Sequence, residues 1–165
     1  MRASYSGVIP VCADAYWAKL VNWPNVMDWM PTENPPVQLL KVELAPGSAV
    51  GVLPCTRICF QDKRGLPKEA ADAVPDEVLE TLIHQDDVAK VIVYILEGQM
   101  MFGMRNYFAA TEVDFIDDNH CRVTCASRYD LPEEAPAEMI RQWVEAVYER
   151  GIVHGIADSI RRQDA

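Results

Sequence analysis

The chain reads as an α+β fold: a seven-stranded, strongly curved antiparallel sheet with two short helices and a long C-terminal helix, sheet and helix enclosing a cavity. Two observations predict it. Four strand-like runs with turn residues between them fill the stretch from Val78 to Asp130, and one long amphipathic helical pattern closes the chain. A sheet curved enough to wrap such a helix leaves space between the two. The polar side chains on its inner face are then the best pointers to function.

Ser4 to Val11 is the first expected strand, with Asp14 as N-cap of a short helix from Ala15 to Val21. Pro24 and Asn25 break that helix and start a second, which runs through Trp29 and stops at Pro31. Trp17, Trp23, Met27, Trp29 and Met30 load this pair with apolar surface, either as core under the sheet or at a cavity mouth. Val37 to Leu44 alternates as a strand, and Pro46-Gly47 is a turn. Val50 to Phe60 follows, with Pro54 marking an edge, bulge or bend. Gln61 to Pro75 is a long polar loop with an alanine-rich piece suited to one helical turn, either a lid or a plain insertion. Strands are expected over Glu77 to Gln85, Val88 to Glu97, Arg105 to Ile116 and Cys121 to Tyr129. The closing helix spans about Ala135 to Arg162, and Ile140, Trp143, Val144, Val147 and Tyr148 lie on its apolar stripe.

With 165 residues, the chain forms one domain, 1–165, large enough for a core and a pocket. A formal net charge of −10 argues against nucleic acid and against anionic membrane surfaces. No segment has the apolar length of a membrane span. The apolar run Gly7 to Val11 is too short for a signal peptide and is interrupted by Pro10. Five cysteines without framework spacing suit a reducing compartment, so the expected location is cytoplasmic. The pairs Cys55/Cys59 and Cys121/Cys125 tempt a zinc reading. Four residues along a strand separate two sulfurs by about 13 Å, too far for one metal, so they are read as buried apolar residues. No phosphate loop, nucleophile elbow or HExxH motif is present. No metal or cofactor is expected, and the state is monomer or homodimer.

Strand periodicity sorts the polar candidates by face. Arg57 shares a face with Cys55 and Cys59, and Tyr94 with Ile92 and Leu96. If Glu80 points inward, so do Leu82 and His84; if Tyr107 does, so do Arg105, Ala109 and Thr111. On the last strand Cys121, Cys125, Ser127 and Tyr129 are taken as inward because that face carries fewer charges. An inward Arg57 and Glu80 would pair, since either charge alone is costly to bury. The pair either specifies the sheet or anchors a ligand carboxylate or enolate. His84 is a candidate general base near neutral pH, or simply a solvated histidine. Tyr94 and Tyr107 either orient a ligand carbonyl or pack as sheet aromatics.

The order strand, two short helices, six strands, long helix resembles the START-like (SRPBCC) superfamily, the helix-grip fold of the birch pollen allergen and lipid-transfer domains. Within it the chain looks most like bacterial polyketide cyclase/dehydrase-type proteins and plant abscisic-acid receptors. The resemblance rests on Cys55-Thr56-Arg57, Gly65-Leu66-Pro67, Glu80 with Leu82, Asp86-Asp87, Asn106-Tyr107 and Asp130-Leu131-Pro132. It implies a lid at Gly65-Leu66-Pro67 and a pocket lined by Glu80 and Tyr107. Val37 stands about where the receptors place their carboxylate-binding lysine, and Met100-Met101-Phe102 replaces their latch. Hormone sensing is therefore not implied.

The expected function is binding of a hydrophobic or amphipathic small molecule, such as a lipid or polyketide, as carrier, sensor or cyclase-like enzyme. The candidate pocket residues are Arg57, Glu80, His84, Tyr94, Tyr107, Ser127, Val144 and Tyr148. The rival is a protein-interaction module with a filled core, docking through the 65–67 loop and an exposed 99–104 turn.

Overall fold

The computed structural model describes residues 1–164, with side chains to 163. One antiparallel sheet of seven strands holds β1 (Arg2–Ile9), β2 (Leu39–Leu44), β3 (Cys55–Gln61), β4 (Glu77–Asp86), β5 (Val91–Glu97), β6 (Arg105–Asp117) and β7 (His120–Asp130). Their spatial order is β1-β7-β6-β5-β4-β3-β2. Sequence neighbours from β2 to β7 pair as hairpins, and β1 closes on β7. The chain between β1 and β2 carries α1 (Ala13–Leu20) and a 3₁₀ turn, Asn25–Asp28. A short α2 (Lys68–Ala73) occupies the alanine-rich part of the long loop. Among the described residues no helix is long and apolar enough to cross a membrane.

The closing helix is continuous but not uniform. It runs as α3 (Ala137–Ala146), widens to π geometry over Val147–Val153, and resumes as α4 (His154–Asp164). A π segment disturbs the regular carbonyl pairing of the helix. At Ile152 the carbonyl accepts a hydrogen bond from the buried Tyr16 Oη on α1 at 2.8 Å. Just beyond, a Cβ on Gly155 would lie 2.6 Å from the Trp29 carbonyl. Glycine there lets the 3₁₀ turn press directly onto the helix. Ile140, Val144, Tyr148, Val153 and Ile156 from this helix meet Cys121, Val123 and Cys125 of β7 in the core.

Several expected boundaries shift for identifiable reasons. Helix α1 begins at Ala13 after Cys12, with no side-chain cap, and Asp14 in its first turn pairs instead with Lys90 at 2.7 Å. Strand β3 starts only at Cys55, because Pro54 lacks the N–H that a paired strand needs. Strand β2 begins at Leu39, past Pro35 and Pro36.

Two face assignments also change. A bulge between Leu82 and His84 shifts the β4 register, so Leu82 faces the core while His84 turns to solvent. At the start of β6 the register slips between Arg105 and Phe108, with Asn106 at φ +53°. Tyr107, Ala109 and Thr111 are buried as expected, but Arg105 is exposed. The β7 alternation is unbroken: Cys121, Val123, Cys125, Ser127 and Tyr129 all face inward.

Candidate functional site

Between the inner sheet face, the 3₁₀ turn and the π segment lies a cavity of about 100 Å³. Its polar side is built by the middle strands. Arg57 and Glu80 stand opposite each other across β3 and β4. Arg57 Nε donates to Glu80 Oε2 at 2.7 Å, and Nη2 donates to the same oxygen. Its Nη1 donates to the Trp23 carbonyl at 2.7 Å, and the guanidinium lies 3.7 Å from the centre of the Trp23 ring. Burial works against this charge, but Glu80 outweighs it and holds the Arg57 pKa above its ordinary value.

Three phenols complete the polar side. Tyr107 and Tyr148 share a hydrogen bond of 2.5 Å between their hydroxyls, linking β6 to the π segment. Tyr107 also stacks on Tyr129, centroids 5.6 Å apart. Tyr94 comes from β5 and packs against Trp23 at 5.4 Å. Among the described residues nothing hydrogen-bonds its hydroxyl, nor Oε1 of Glu80. Burial pushes the Tyr107 phenol up to about 12, and those of Tyr94 and Tyr148 well above their usual value. All three are protonated donors at neutral pH.

Apart from the buried Gln61, whose Nε2 donates to the Cys59 carbonyl at 3.2 Å, the remaining walls are apolar and rich in methionine. Met30, Met100, Met101 and Met104 line the cavity with Trp29 and Leu96. Gly151 of the π segment contributes bare backbone, and a Cβ there would meet Pro36 at 3.4 Å. Methionine is flexible and polarizable, so a wall made of it adapts to an occupant's shape. The adjoining Cys59 thiol is pushed up to about 12 by burial and is a packing group rather than a nucleophile.

Of the residues singled out from sequence, Arg57, Glu80, Tyr94, Tyr107 and Tyr148 come together at this cavity. His84 does not, because of the β4 bulge. Val144 is buried one helical turn before Tyr148 and packs in the core rather than lining the space. Ser127 is buried, and its hydroxyl makes no hydrogen bond among the described residues, but it too lies off the lining. Gly65, Leu66 and Pro67 sit in the loop beyond Gln61, and none of them lines the cavity. In the 99–104 turn Met100 and Met104 are buried over the cavity, whereas Phe102 stays exposed while packing edge-on against Trp143 at 5.5 Å. Trp29 and Met30, read from sequence as core or cavity-mouth residues, line the cavity, while Met101 and Met104 were not read there as pocket residues.

Among the described residues no cluster of histidine, cysteine and carboxylate side chains could hold a metal ion. The arrangement leaves the Tyr94 hydroxyl and one hydrogen of the Tyr107–Tyr148 pair as neutral donors beside an internally paired Arg57–Glu80, within largely apolar walls.

No family model matches the sequence, and no curated protein matches it. Solved structures match over the whole chain. Norcoclaurine synthase from Thalictrum flavum, in complex with dopamine and hydroxybenzaldehyde, is 15% identical with a TM-score of 0.70, covering 100% of this chain and 88% of that one. An aromatase/cyclase from a Streptomyces species is 14% identical, TM-score 0.70, covering 100% and 96%. An uncharacterised protein from Bacillus thuringiensis is 16% identical, TM-score 0.71, covering 98% and 99%. The chain shares the helix-grip fold of these structures.

Proposed function

We propose that this protein binds a small hydrophobic or amphipathic molecule bearing a hydrogen-bond acceptor, as a carrier or sensor. The observation that carries the reading is the convergence of Arg57, Glu80, Tyr94, Tyr107 and Tyr148 on one apolar-walled cavity. Few precisely placed polar groups in a greasy enclosure are the usual form of a ligand site. Tyr94 supplies a donor with no internal partner, while the Tyr107–Tyr148 pair fixes the helix against the sheet beside it. The fold's use by proteins solved with dopamine and hydroxybenzaldehyde, and by an aromatase/cyclase, supports small-molecule binding as a class.

The volume limits the occupant. About 100 Å³ is below the roughly 300 Å³ at which ligand pockets begin. An apolar cavity of about 150 Å³ holds benzene. A lipid or polyketide therefore enters only if Met30, Met100 and Met101 swing away. Ligand uptake on this reading is coupled to repacking of the methionine wall.

A cyclase-like activity has one observation in its favour: Glu80 Oε1 lies free beside a fixed guanidinium, as a proton acceptor would need. Against it, the phenols are too weakly acidic to act as bases at neutral pH. Burial of Met100 over the cavity weighs against the docking-module alternative.

Native mass spectrometry of the protein from its producing cell tests the proposal, together with titration of a phenol-to-naphthol size series followed by tryptophan fluorescence. A co-purifying small molecule, or saturable binding weakened by Tyr94→Phe, is the expected result. An empty protein that binds no member of the series overturns it.

A further inference from the structure

The β5–β6 hairpin is splayed at its closed end. Pairing stops at Ile95 opposite Phe108, so Leu96 and Glu97 on one stem have no ladder partner on the other. Asn106, at φ +53°, turns the second stem away. An open groove of about 570 Å³ lies in this gap. Leu96, Met100 and Tyr107 line both the groove and the internal cavity, so three side chains separate the two spaces. Two of these are flexible aliphatic groups.

The outer rim of the groove is cationic in a chain whose formal net charge is −10. Arg105 and Arg128 line it, and neither has an ion-pair partner among the described residues. Arg128 lies over the Phe108 ring at 5.0 Å. Arg2 stands directly opposite Arg128 across β1 and β7 and shares with it a second open depression on the same face. Like charges placed opposite one another on a sheet cost stability unless an anion relieves them. The carboxylate in the groove, Glu97, is held by Thr81 through Oε2, and Asp130 at its edge accepts from Asn106.

From this geometry we infer that the gap is a side portal and that the ligand is an anionic amphiphile. Its carboxylate or phosphate head rests outside between Arg105 and Arg128, and its apolar tail passes Leu96 and Met100 into the cavity. The inference rests on the cavity reading above and names the class of molecule that the site takes. It also accounts for the small volume of the cavity, which need hold only the end of the tail.

Octanoate and 1-octanol, equal in chain length and differing in head charge, are the probes, titrated against the whole protein by calorimetry at low salt. Octanoate is expected to bind about tenfold more tightly, the scale of a charged hydrogen bond. The exposed double variant Arg105→Gln/Arg128→Gln, checked for unchanged circular dichroism, is expected to erase that preference while leaving octanol binding intact. Equal binding of the two probes to the wild type overturns the portal and leaves the cavity reading standing, as does a preference that survives in the variant. Failure of both probes, together with failure of the phenol series, overturns the cavity itself.

Discussion

Arg57 and Glu80 face each other across β3 and β4, and two nitrogens of the guanidinium donate to a single oxygen of the carboxylate. The third nitrogen is fixed by the Trp23 carbonyl. Both side chains are largely enclosed, at 9% and 19% exposed. Removing one charge leaves the other stranded in a poor solvent. Glu80→Gln is therefore expected to lower stability by about 2–3 kcal/mol in urea denaturation. The double replacement Arg57→Met/Glu80→Leu, which removes both charges and keeps apolar volume, should recover most of that loss. Equal destabilisation by single and double variants would mean that packing, not charge pairing, dominates here.

The Tyr107–Tyr148 hydrogen bond joins strand to π segment with no water needed. Tyr107→Phe removes one hydroxyl and leaves the other buried, at a cost of about 1 kcal/mol. Because Tyr148 sits where the helix departs from α geometry, amide exchange should quicken across Val147–Val153 more than in α3. Uniform exchange along the whole helix would show that the bond does not hold the segment locally.

The phenols also predict an alkaline limit. The unfolded tyrosine ionises near pH 10, whereas burial holds Tyr107 protonated to about 12. Between those values the unfolded chain has lost a proton that the native state retains, so stability falls as pH rises. The contribution is full below pH 10 and lost by about 12, roughly 2–3 kcal/mol for this group. Tyr16, Tyr94 and Tyr148 act in the same direction, each raised foremost by burial. Tyrosinate absorbance should thus rise in step with loss of circular dichroism, and Tyr107→Phe should flatten the slope. Full ionisation of all six tyrosines in a still-folded protein would contradict the burial argument.

Local pattern was enough wherever a strand runs without a defect. On β7 the set Cys121, Cys125, Ser127 and Tyr129 follows from alternation and its inward side from the fewer charges it carries, and alternation likewise groups Arg57 with Cys55 and Cys59. Alternation failed at His84 and Arg105 because each lies just past a register slip, which reverses faces and leaves no mark in composition. The helical stripe located Tyr148 and Val144 together, but only Tyr148 reaches the cavity. Which turn of a helix meets a void depends on packing with the 3₁₀ turn, a long-range contact. Met30 was legible as a cavity-mouth candidate, but its joining with Met100 into one wall was not, because the two lie far apart in the chain and meet only through the fold.

Gly151 and Gly155 look equivalent in sequence, four residues apart in one helix, yet they predict opposite outcomes. A methyl on Gly155 would sit 2.6 Å from the Trp29 carbonyl and 3.1 Å from that of Arg150. Backbone atoms cannot yield cheaply, so Gly155→Ala should cost about 1–3 kcal/mol despite alanine's better helix propensity. A methyl on Gly151 meets Pro36 at 3.4 Å and the end of Met30 at 3.8 Å, ordinary contacts with one flexible partner. Gly151→Ala should therefore be neutral or stabilising by up to about 1 kcal/mol. It also projects into the cavity wall, so ligands at the larger end of the phenol-to-naphthol series should bind more weakly to it. Thermal melts separate the two glycines on stability, and fluorescence titration reads the cavity. A Gly151→Ala protein with unchanged affinity for every ligand size would show that the occupant does not approach the π segment.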